Sequence, residues 1–468
     1  MKDHVFYNES MNLLETHNFT HELQDVKTPR LFREMFPYTE VPKILFNFTH
    51  VPMNCPEEIW MTDTTFRDGQ QAVTPFTVEQ IVHIFKLLSK LGGPNGLVRQ
   101  SEFFIYTEKD QEAVRRVQDL GLRYPEVTTW IRANPKDFQL VKEMGVEETG
   151  ILVSCSDYHI FKKMNLTRSQ AIEKYLGVVK QAIDAGIKPR CHFEDITRAD
   201  YYGFVVPFAA KLKELMDESG VPIKIRCCDT MGLGVSFPGT AMPRSVQGII
   251  YGLHHYADFP SSLLEWHGHN DFYKVVTNST TAWLYGASAV NCSIFGIGER
   301  TGNCPLEAMA MEYASIRGTT NGMDLSVITE IADYYQKDMG YKIPSRTPFV
   351  GRLFNVTKAG IHADGLLKDQ EIYNIFDTQT ILNRPPLVVI DVHSGLAGIA
   401  FWINSYFGLT GEMVVDKKEE MIVEINSIIQ GMYAEGRVTS ISDEEMVAMI
   451  DRIDPTRLRK FLKHKKIN

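Results

Sequence analysis

The chain has 468 residues, of which 44% are hydrophobic and 23% are charged, and its formal net charge is −9. This length suits one large α/β barrel with additions or two to three ordinary domains, and the composition excludes a disordered or low-complexity protein. The acidic balance argues against nucleic acid and anionic membranes as partners. No secretory or membrane-spanning pattern is visible, so we expect no membrane association and a cytoplasmic protein.

The first 57 residues contain several prolines, at positions 29, 37, 42, 52 and 56. Proline fixes φ and removes a backbone donor, which disfavours long helices and central strands. We therefore expect residues 1–57 to form an extended N-terminal arm that wraps around the following domain or around a partner subunit.

From residue 58 onward, short β-rich segments alternate with longer amphipathic segments. The eight candidate strands are 58–65, 101–106, 126–131, 149–156, 188–195, 223–230, 263–270 and 289–296. The segment 77–91 is a predicted helix whose first residues, Thr77 and Gln80, have capping-box spacing. Eight βα units within about 260 residues predict an α/β fold of the (β/α)₈ TIM-barrel type over residues 58–320, rather than an open sheet.

After residue 320 we expect no further strands. The segments 326–340 and 417–436 have the apolar periodicity of helices. Residues 321–468 are therefore predicted to form a C-terminal, mainly helical appendage.

Polar residues follow nearly every predicted strand, at the barrel end where active sites of this fold lie. His267 and His269, in the sequence HGHND, are two residues apart and so point to the same side of a strand end. Two imidazoles and a carboxylate can hold a divalent cation and leave positions open for substrate. Asp68, in RDGQ after strand one, is the candidate carboxylate.

Several of these residues have structural alternatives. An isolated HxH pattern is more often a hydrogen-bonded pair than a metal site, and only the polar ends of the other strands favour the metal. Arg67 could pair with a strand-end carboxylate, and Glu194 could pair with Arg198. His362 lies in a predicted loop that contains glycines, and a histidine in such a loop is usually a solvated surface residue.

The motifs DTTFRDGQQ, HGHND, GIGERTGNCPLE and KAGIHADG, taken together, resemble a family of metal-dependent acyl-CoA condensing and cleaving barrels. This family includes isopropylmalate synthase, homocitrate synthase and 3-hydroxy-3-methylglutaryl-CoA lyase. The resemblance extends from about residue 58 to about residue 405, and several separated motifs in one order are far more specific than a single short pattern.

The resemblance implies a role for each matching residue. Asp68, His267 and His269 would bind the metal, with Asn303 in or beside its shell. The implied catalytic residues are Arg67, which stabilises the developing oxyanion, Glu194, and the appendage pair His362 and Tyr373. Condensing members often take this pair from the neighbouring subunit, which implies a homodimer. The implied cofactor is a divalent cation, with Mn²⁺ preferred over Co²⁺, Mg²⁺ or Zn²⁺.

The implied substrates are acetyl-CoA and a 2-oxo acid. The pattern is most similar to members that condense acetyl-CoA with oxaloacetate, whose second carboxylate needs a cation or several hydrogen bonds. Arg132 and His159 are candidates for that contact, and we expect Gln71 and Thr230 also to bind substrate. Homocitrate, isopropylmalate or citramalate synthesis, a metal-dependent lyase, and a sensor without turnover remain as alternatives.

Overall fold

The computed structural model describes residues 5–8, 13–16, 21–134 and 136–465. Parts of the predicted arm, at 1–4, 9–12 and 17–20, and the last three residues of the predicted appendage lie outside the described residues. The chain divides into two compact units, of which the first ends at Asp324 and the second begins at Leu325.

The first unit contains a closed barrel of eight parallel strands. These are β1 Trp60–Asp63, β2 Val98–Phe103, β3 Glu126–Ile131, β4 Glu148–Ser154, β5 Lys188–Glu194, β6 Lys224–Asp229, β7 Leu264–Gly268 and β8 Ala289–Cys292. Each strand pairs with the next, and β8 closes the barrel by pairing with β1, with Ala289 opposite Trp60 and Cys292 opposite Asp63. The predicted TIM barrel is confirmed.

A principal helix follows each strand. These helices are Val78–Gly92, Glu108–Gln118, Asp137–Glu143, Arg168–Asp184, Val206–Ser219, Val246–Ala257, Val275–Leu284 and Leu306–Arg317. The predicted capping box is present at the first of them, where Gln80 N donates to Thr77 Oγ1 (3.2 Å) and Thr77 N donates to Gln80 Oε1 (2.8 Å). Short helices Gln70–Ala72 and Asp157–Ile160 lie in the loops that follow β1 and β4.

The described part of the arm packs on its own barrel. Gln24 N donates to Gly203 O, and Ala241 N donates to Leu45 O, each at 2.9 Å. Two short strands, Val5–Asn8 and Leu13–Thr16, pair antiparallel. Residues 21–57 contain no helix, as the prolines predict.

The barrel interior contains buried charged side chains. Arg226 Nη1 and Arg190 Nη2 both donate to Glu102 Oε1 at 3.0 Å, and Arg226 Nε donates to Glu265 Oε2 at 2.7 Å. Buried charges are tolerated when each has a hydrogen-bonded partner of opposite sign. This network therefore replaces part of the branched apolar core that is usual in such barrels.

The second unit is mainly helical. Its helices are Val327–Lys337, Gly360–Lys368, Thr378–Leu382, Gly395–Phe407, Glu420–Ala434, Asp443–Ile453 and Pro455–Lys465. The helical character predicted for this region is confirmed, but the expectation that no strand follows residue 320 is wrong. Val356–Thr357 and Leu387–Val388 pair in parallel, and a pair of two-residue strands is too short for sequence periodicity to reveal.

A separate apolar core holds the second unit together. It includes Ile399, Ile403 and Phe407 on one helix, packed with Ile422 and Ile425 on another. The spacing of three to four residues places these side chains on one face of each helix. Within the described residues, no helix is both long enough and apolar enough to span a membrane.

Glu307, in the first turn of Leu306–Arg317, is buried and accepts a hydrogen bond from Phe295 N (3.0 Å). Burial raises its pKa from 4.5 to about 7. The unfolded chain releases this proton near pH 4.5, whereas the folded protein holds it until near pH 7. The stability that Glu307 contributes is therefore present below pH 4.5 and lost as the pH rises to 7.

We expect Glu307→Gln, which keeps an acceptor but cannot ionise, to match the wild-type protein near pH 4.5. Above pH 7 the variant should be more stable by about 3 kcal/mol, at 1.36 kcal/mol per pKa unit. Denaturant unfolding of both proteins at about pH 5 and about pH 8 measures the difference. A difference that is the same at both pH values would contradict this role.

Candidate metal centre and active site

Asp68, His267 and His269 lie together at the mouth of the barrel, and all three are buried. Asp68 lies in the wide helical turn Thr65–Gly69 after β1, and the two histidines lie at the end of β7. Asp68 Oδ2 is 3.6 Å from His267 Nε2 and 3.8 Å from His269 Nε2, and the two Nε2 atoms are 3.3 Å apart. The structure thus brings together the three residues that the sequence analysis selected.

Asn291 on β8 fixes the orientation of His267. Its Oδ1 lies 2.7 Å from His267 Nδ1, and its Nδ2 donates to Thr62 Oγ1 at 2.9 Å. Because Asn291 Nδ2 donates to Thr62, Asn291 Oδ1 accepts a hydrogen bond from His267 Nδ1–H, and the lone pair of His267 Nε2 faces Asp68 and His269. An oriented imidazole of this kind is typical of metal ligands.

Asn303 lies on the other side of Asp68. A bridge between His269 and Asn303 brings the two backbones together, and Asn303 Nδ2 donates to Asp68 Oδ2 at 2.6 Å. Asn303 approaches closely because residue 298 is a glycine, and a Cβ there would lie 2.2 Å from Asn303 Oδ1. Among the described residues, Asn303 Oδ1 and His269 Nδ1 are buried without a hydrogen-bond partner.

The electrostatics of the cluster fit a cation. Burial lowers the pKa of His267 and lowers that of His269 to about 4, so both imidazoles are neutral near pH 7. Burial opposes ionisation of Asp68, but the Arg67 guanidinium holds the pKa of Asp68 well below the ordinary value. Two neutral nitrogen donors, one carboxylate and an unpartnered amide oxygen form a donor set suited to a divalent metal.

Arg67 lies between the candidate metal ligands and the charged interior of the barrel. Its Nη1 donates to Asp68 Oδ1 (3.1 Å) and its Nε donates to Glu102 Oε2 (2.8 Å). The salt bridge considered as the alternative reading of Arg67 is therefore present. The contacts with Asp68 and Glu102 do not occupy all five N–H groups of the Arg67 guanidinium.

Glu194 ends β5, and His159 Nδ1 lies 3.0 Å from its Oε2. Ser154 Oγ also donates to this carboxylate. Burial opposes its ionisation, but His159 holds the pKa of Glu194 below the ordinary value, so the group is a carboxylate near pH 7. Arg198, the alternative partner, pairs instead with Asp195, with its Nε 2.8 Å from Oδ1.

The other expected substrate residues lie in different environments. Thr230, after β6, accepts from Asp195 N through its Oγ1 at 2.9 Å. Gln71 is exposed. Arg132 has a side chain that is 66% exposed, with its Nε 3.6 Å from Asp137 Oδ2, so its guanidinium faces solvent.

His362 and Tyr373 lie together in the second unit, with ring centroids 4.3 Å apart. Gly365 makes this contact possible, because a Cβ there would lie 2.5 Å from the Tyr373 ring. Both side chains are exposed, and neighbouring Ile361 and Ile372 are also exposed. An exposed apolar cluster around two polar rings is typical of a surface that contacts another molecule.

Three residues of the site escaped the sequence analysis. They are Asn291, which orients His267, Glu102, which pairs with Arg67, and Ser154, which donates to Glu194. The inward-facing position of Glu102 in SEFFIY and of Asn291 in AVNCS was a usable signal, because alternate residues of a strand share one face. Ser154, which binds Glu194, lies at the end of β4 and carries no comparable signal.

Comparison with known proteins confirms the expected resemblance. A family model described as HMGL-like matches residues 58–334. Citrate (Re)-synthase of Syntrophus aciditrophicus (strain SB) is 57% identical over 95% of this chain and 71% of that protein. Citrate (Re)-synthase of Clostridium kluyveri is 53% identical over 95% of this chain and 98% of that protein.

A third relative, 2-phosphinomethylmalate synthase of Streptomyces hygroscopicus, is 34% identical over 92% of this chain and 98% of that protein. The HMGL-like match covers more than half of the chain and includes the barrel with its cluster of Asp68, His267 and His269. On this evidence the chain belongs to the HMGL-like family.

Proposed function

We propose that this chain is a Re-citrate synthase, an acyltransferase that condenses acetyl-CoA with oxaloacetate and hydrolyses the thioester to give citrate and CoA. The observation that carries the proposal is 57% and 53% identity to two citrate (Re)-synthases over 95% of the chain. The buried cluster at the barrel mouth supplies the donor set that the chemistry needs. Citrate formation of this kind would place the enzyme in the tricarboxylic acid cycle of the cytoplasm.

In this proposal Asp68, His267 and His269 hold a divalent metal, and Asn303 contributes its unpartnered oxygen to the same shell or to its edge. Manganese is our choice, with cobalt, magnesium and zinc as alternatives, because two imidazoles and a carboxylate accept all four. The bound metal would act as a Lewis acid toward the 2-oxo acid.

Arg67 would stabilise the negative charge that develops on the attacked carbonyl oxygen. Its pairing with Glu102 is compatible with this role, because the pair fixes the guanidinium and leaves further N–H groups to donate. Charge-assisted donors of this kind contribute about 3 kcal/mol to transition-state stabilisation. The proton that becomes the hydroxyl proton of citrate is delivered to that oxygen after the new C–C bond forms.

His362 would remove a proton from the methyl group of acetyl-CoA, assisted by Glu194, and Tyr373 would orient the base or relay the proton. The methyl carbon then bonds to C2 of oxaloacetate, and water cleaves the thioester. We propose a homodimer in which the second unit of one subunit completes the active site of the other. The exposed Ile361 and Ile372 beside His362 support this assignment.

Four residues are proposed to contact oxaloacetate. His159, in the short helix Asp157–Ile160 after β4, lies beside Glu194 and is the best placed to meet the second carboxylate. Arg132 would have to turn from Asp137 to do so, which its exposure permits. Gln71 and Thr230 would contribute hydrogen bonds from the loops after β1 and β6.

The choice of 2-oxo acid is tested by thiol release from acetyl-CoA in the presence of oxaloacetate, 2-oxoglutarate, 2-oxoisovalerate or pyruvate. We expect kcat/KM for oxaloacetate to exceed the others by about 100-fold or more, because pyruvate and 2-oxoisovalerate lack a second carboxylate and 2-oxoglutarate carries it one methylene further from the carbonyl. Labelled acetyl groups should enter citrate on the face opposite to that used by ordinary citrate synthase. A higher kcat/KM for another acid would assign the chain to that condensing activity, and no thiol release would exclude all of them.

The metal assignment is tested with His267→Ala. We expect complete loss of turnover and of tight Mn²⁺ binding measured by calorimetry, whereas Asn291→Ala should weaken Mn²⁺ binding by about 10- to 100-fold through loss of ring orientation. His50→Ala, at an exposed histidine of the arm, is the matched control and should behave as wild type. Full activity of the wild-type protein after exhaustive chelation would refute the assignment.

Sharing of the active site between subunits is tested by mixing two inactive variants, Asp68→Asn and His362→Ala. Random reassociation makes about half of the dimers mixed. If His362 acts across the dimer, each mixed dimer has one intact site out of two, so about a quarter of the wild-type activity should return. Each variant refolded alone serves as the control. No recovery, with mixed dimers demonstrated by mass spectrometry, would mean that His362 does not act on the neighbouring site.

A further inference from the structure

A segment of the arm, residues 30–42, lies on the rim of the barrel at the ends of its strands. Phe32, Met35 and Phe36 pack with Leu233 in a buried cluster. A side chain of the barrel anchors the same segment, because Tyr158 Oη donates to the backbone oxygen of Leu31 at 2.8 Å. The segment is therefore a fixed wall of the rim.

A cavity of about 340 Å³ separates this segment from the loops that follow β4 to β7. Its apolar lining consists of Phe36, Tyr38, Pro42, Met231, Leu233 and Phe272. The loop residues of the lining are close in sequence to the candidate active site, since Tyr158 precedes His159 and Met231 follows Thr230. The cavity is thus on the same rim as the metal cluster.

Arg33, Arg198 and Tyr158 also line the cavity, as do Glu40 and Asp271, whose carboxylates pair with Lys43 and Arg300. Three cations lie near the ring of Tyr158, with distances to its centroid of 4.2 Å for Arg198, 5.6 Å for Lys162 and 5.8 Å for Arg33. Arg198 is paired with Asp195. Over the described ranges, neither Arg33 nor Lys162 has a carboxylate within 4.0 Å, so their charge is not compensated by the protein.

We propose that this cavity binds the phosphate-bearing portion of a coenzyme A thioester and that the arm contributes Arg33 and Tyr38 to the site. Arg33 and Lys162 would pair with the phosphates, since guanidinium and ammonium groups both bind them well. The apolar walls would cover the pantetheine chain or the adenine ring. The inference rests on the proposed function, because it assigns the site of that function's acyl-CoA substrate.

The other substrate fits the cavity poorly. Oxaloacetate is a small dianion without an apolar part, whereas seven of the eleven residues that line this cavity are apolar or aromatic. A ligand with phosphates at one end and a long, weakly polar chain matches both the charge and the lining. The acyl-CoA is therefore the occupant to which the observations point.

The test uses the Mn²⁺-loaded full chain and measures the Kd of free CoA by calorimetry, together with KM for both substrates. Arg33→Ala and Lys162→Ala should each weaken CoA binding by about tenfold, as expected for loss of a charge-assisted contact. Both should leave KM for oxaloacetate unchanged. Tyr38→Ser, at a side chain that is 92% exposed, should weaken CoA without affecting folding.

Acetyl-pantetheine, which lacks the nucleotide, separates phosphate binding from other effects. Arg33→Ala should raise KM for acetyl-CoA and leave KM for acetyl-pantetheine unchanged. The matched control is Arg115→Ala, which removes the same charge from an exposed position on Glu108–Gln118. The control should bind CoA as the wild-type protein does.

Wild-type affinity for CoA in both Arg33→Ala and Lys162→Ala would overturn the assigned site while leaving the proposed function intact. An equal loss of oxaloacetate binding would also overturn it, because the effect would then be general. Failure of the wild-type chain to bind CoA would refute the proposed function itself, together with this site.

Discussion

Closure of the barrel is the constraint on which the candidate metal centre depends. β8 pairs with β7 along one edge and with β1 along the other. This arrangement brings Asp68, after β1, within 3.8 Å of the imidazoles at the end of β7, although about 200 residues separate them. β8 also contributes Asn291, which orients one of those imidazoles. An open sheet with the same strands would leave β1 and β8 as separate edges.

The buried charged residues of the barrel interior stabilise the candidate metal centre. Glu102 accepts hydrogen bonds from Arg190 and Arg226 and also from Arg67, so a single carboxylate connects the barrel interior to the residue beside Asp68. Loss of one member of a buried ion pair costs about 3–5 kcal/mol, because the remaining charge is unpaired. The orientation of Arg67 is consequently coupled to the integrity of the barrel core.

The sequence predicted the elements from local pattern, and it predicted the residues of the candidate metal centre because a closed barrel gathers its strand ends on one rim. Strand-end polarity and the HxH spacing were sufficient to select Asp68 and the two histidines. The sequence misplaced strand two at 101–106, whereas β2 is Val98–Phe103, because aromatic residues continue the β-like pattern beyond the strand end. It could not reveal that Glu102 meets Arg190 and Arg226, since such pairing depends on three strands that are distant in the chain.

The most direct test of the central claim is the position of the metal in crystals of the Mn²⁺-loaded protein, measured by anomalous diffraction at the manganese edge. We expect one strong peak per subunit, at about 2.0–2.3 Å from His267 Nε2, His269 Nε2 and a carboxylate oxygen of Asp68. A peak at another position, or no peak in crystals of active protein, would contradict the account.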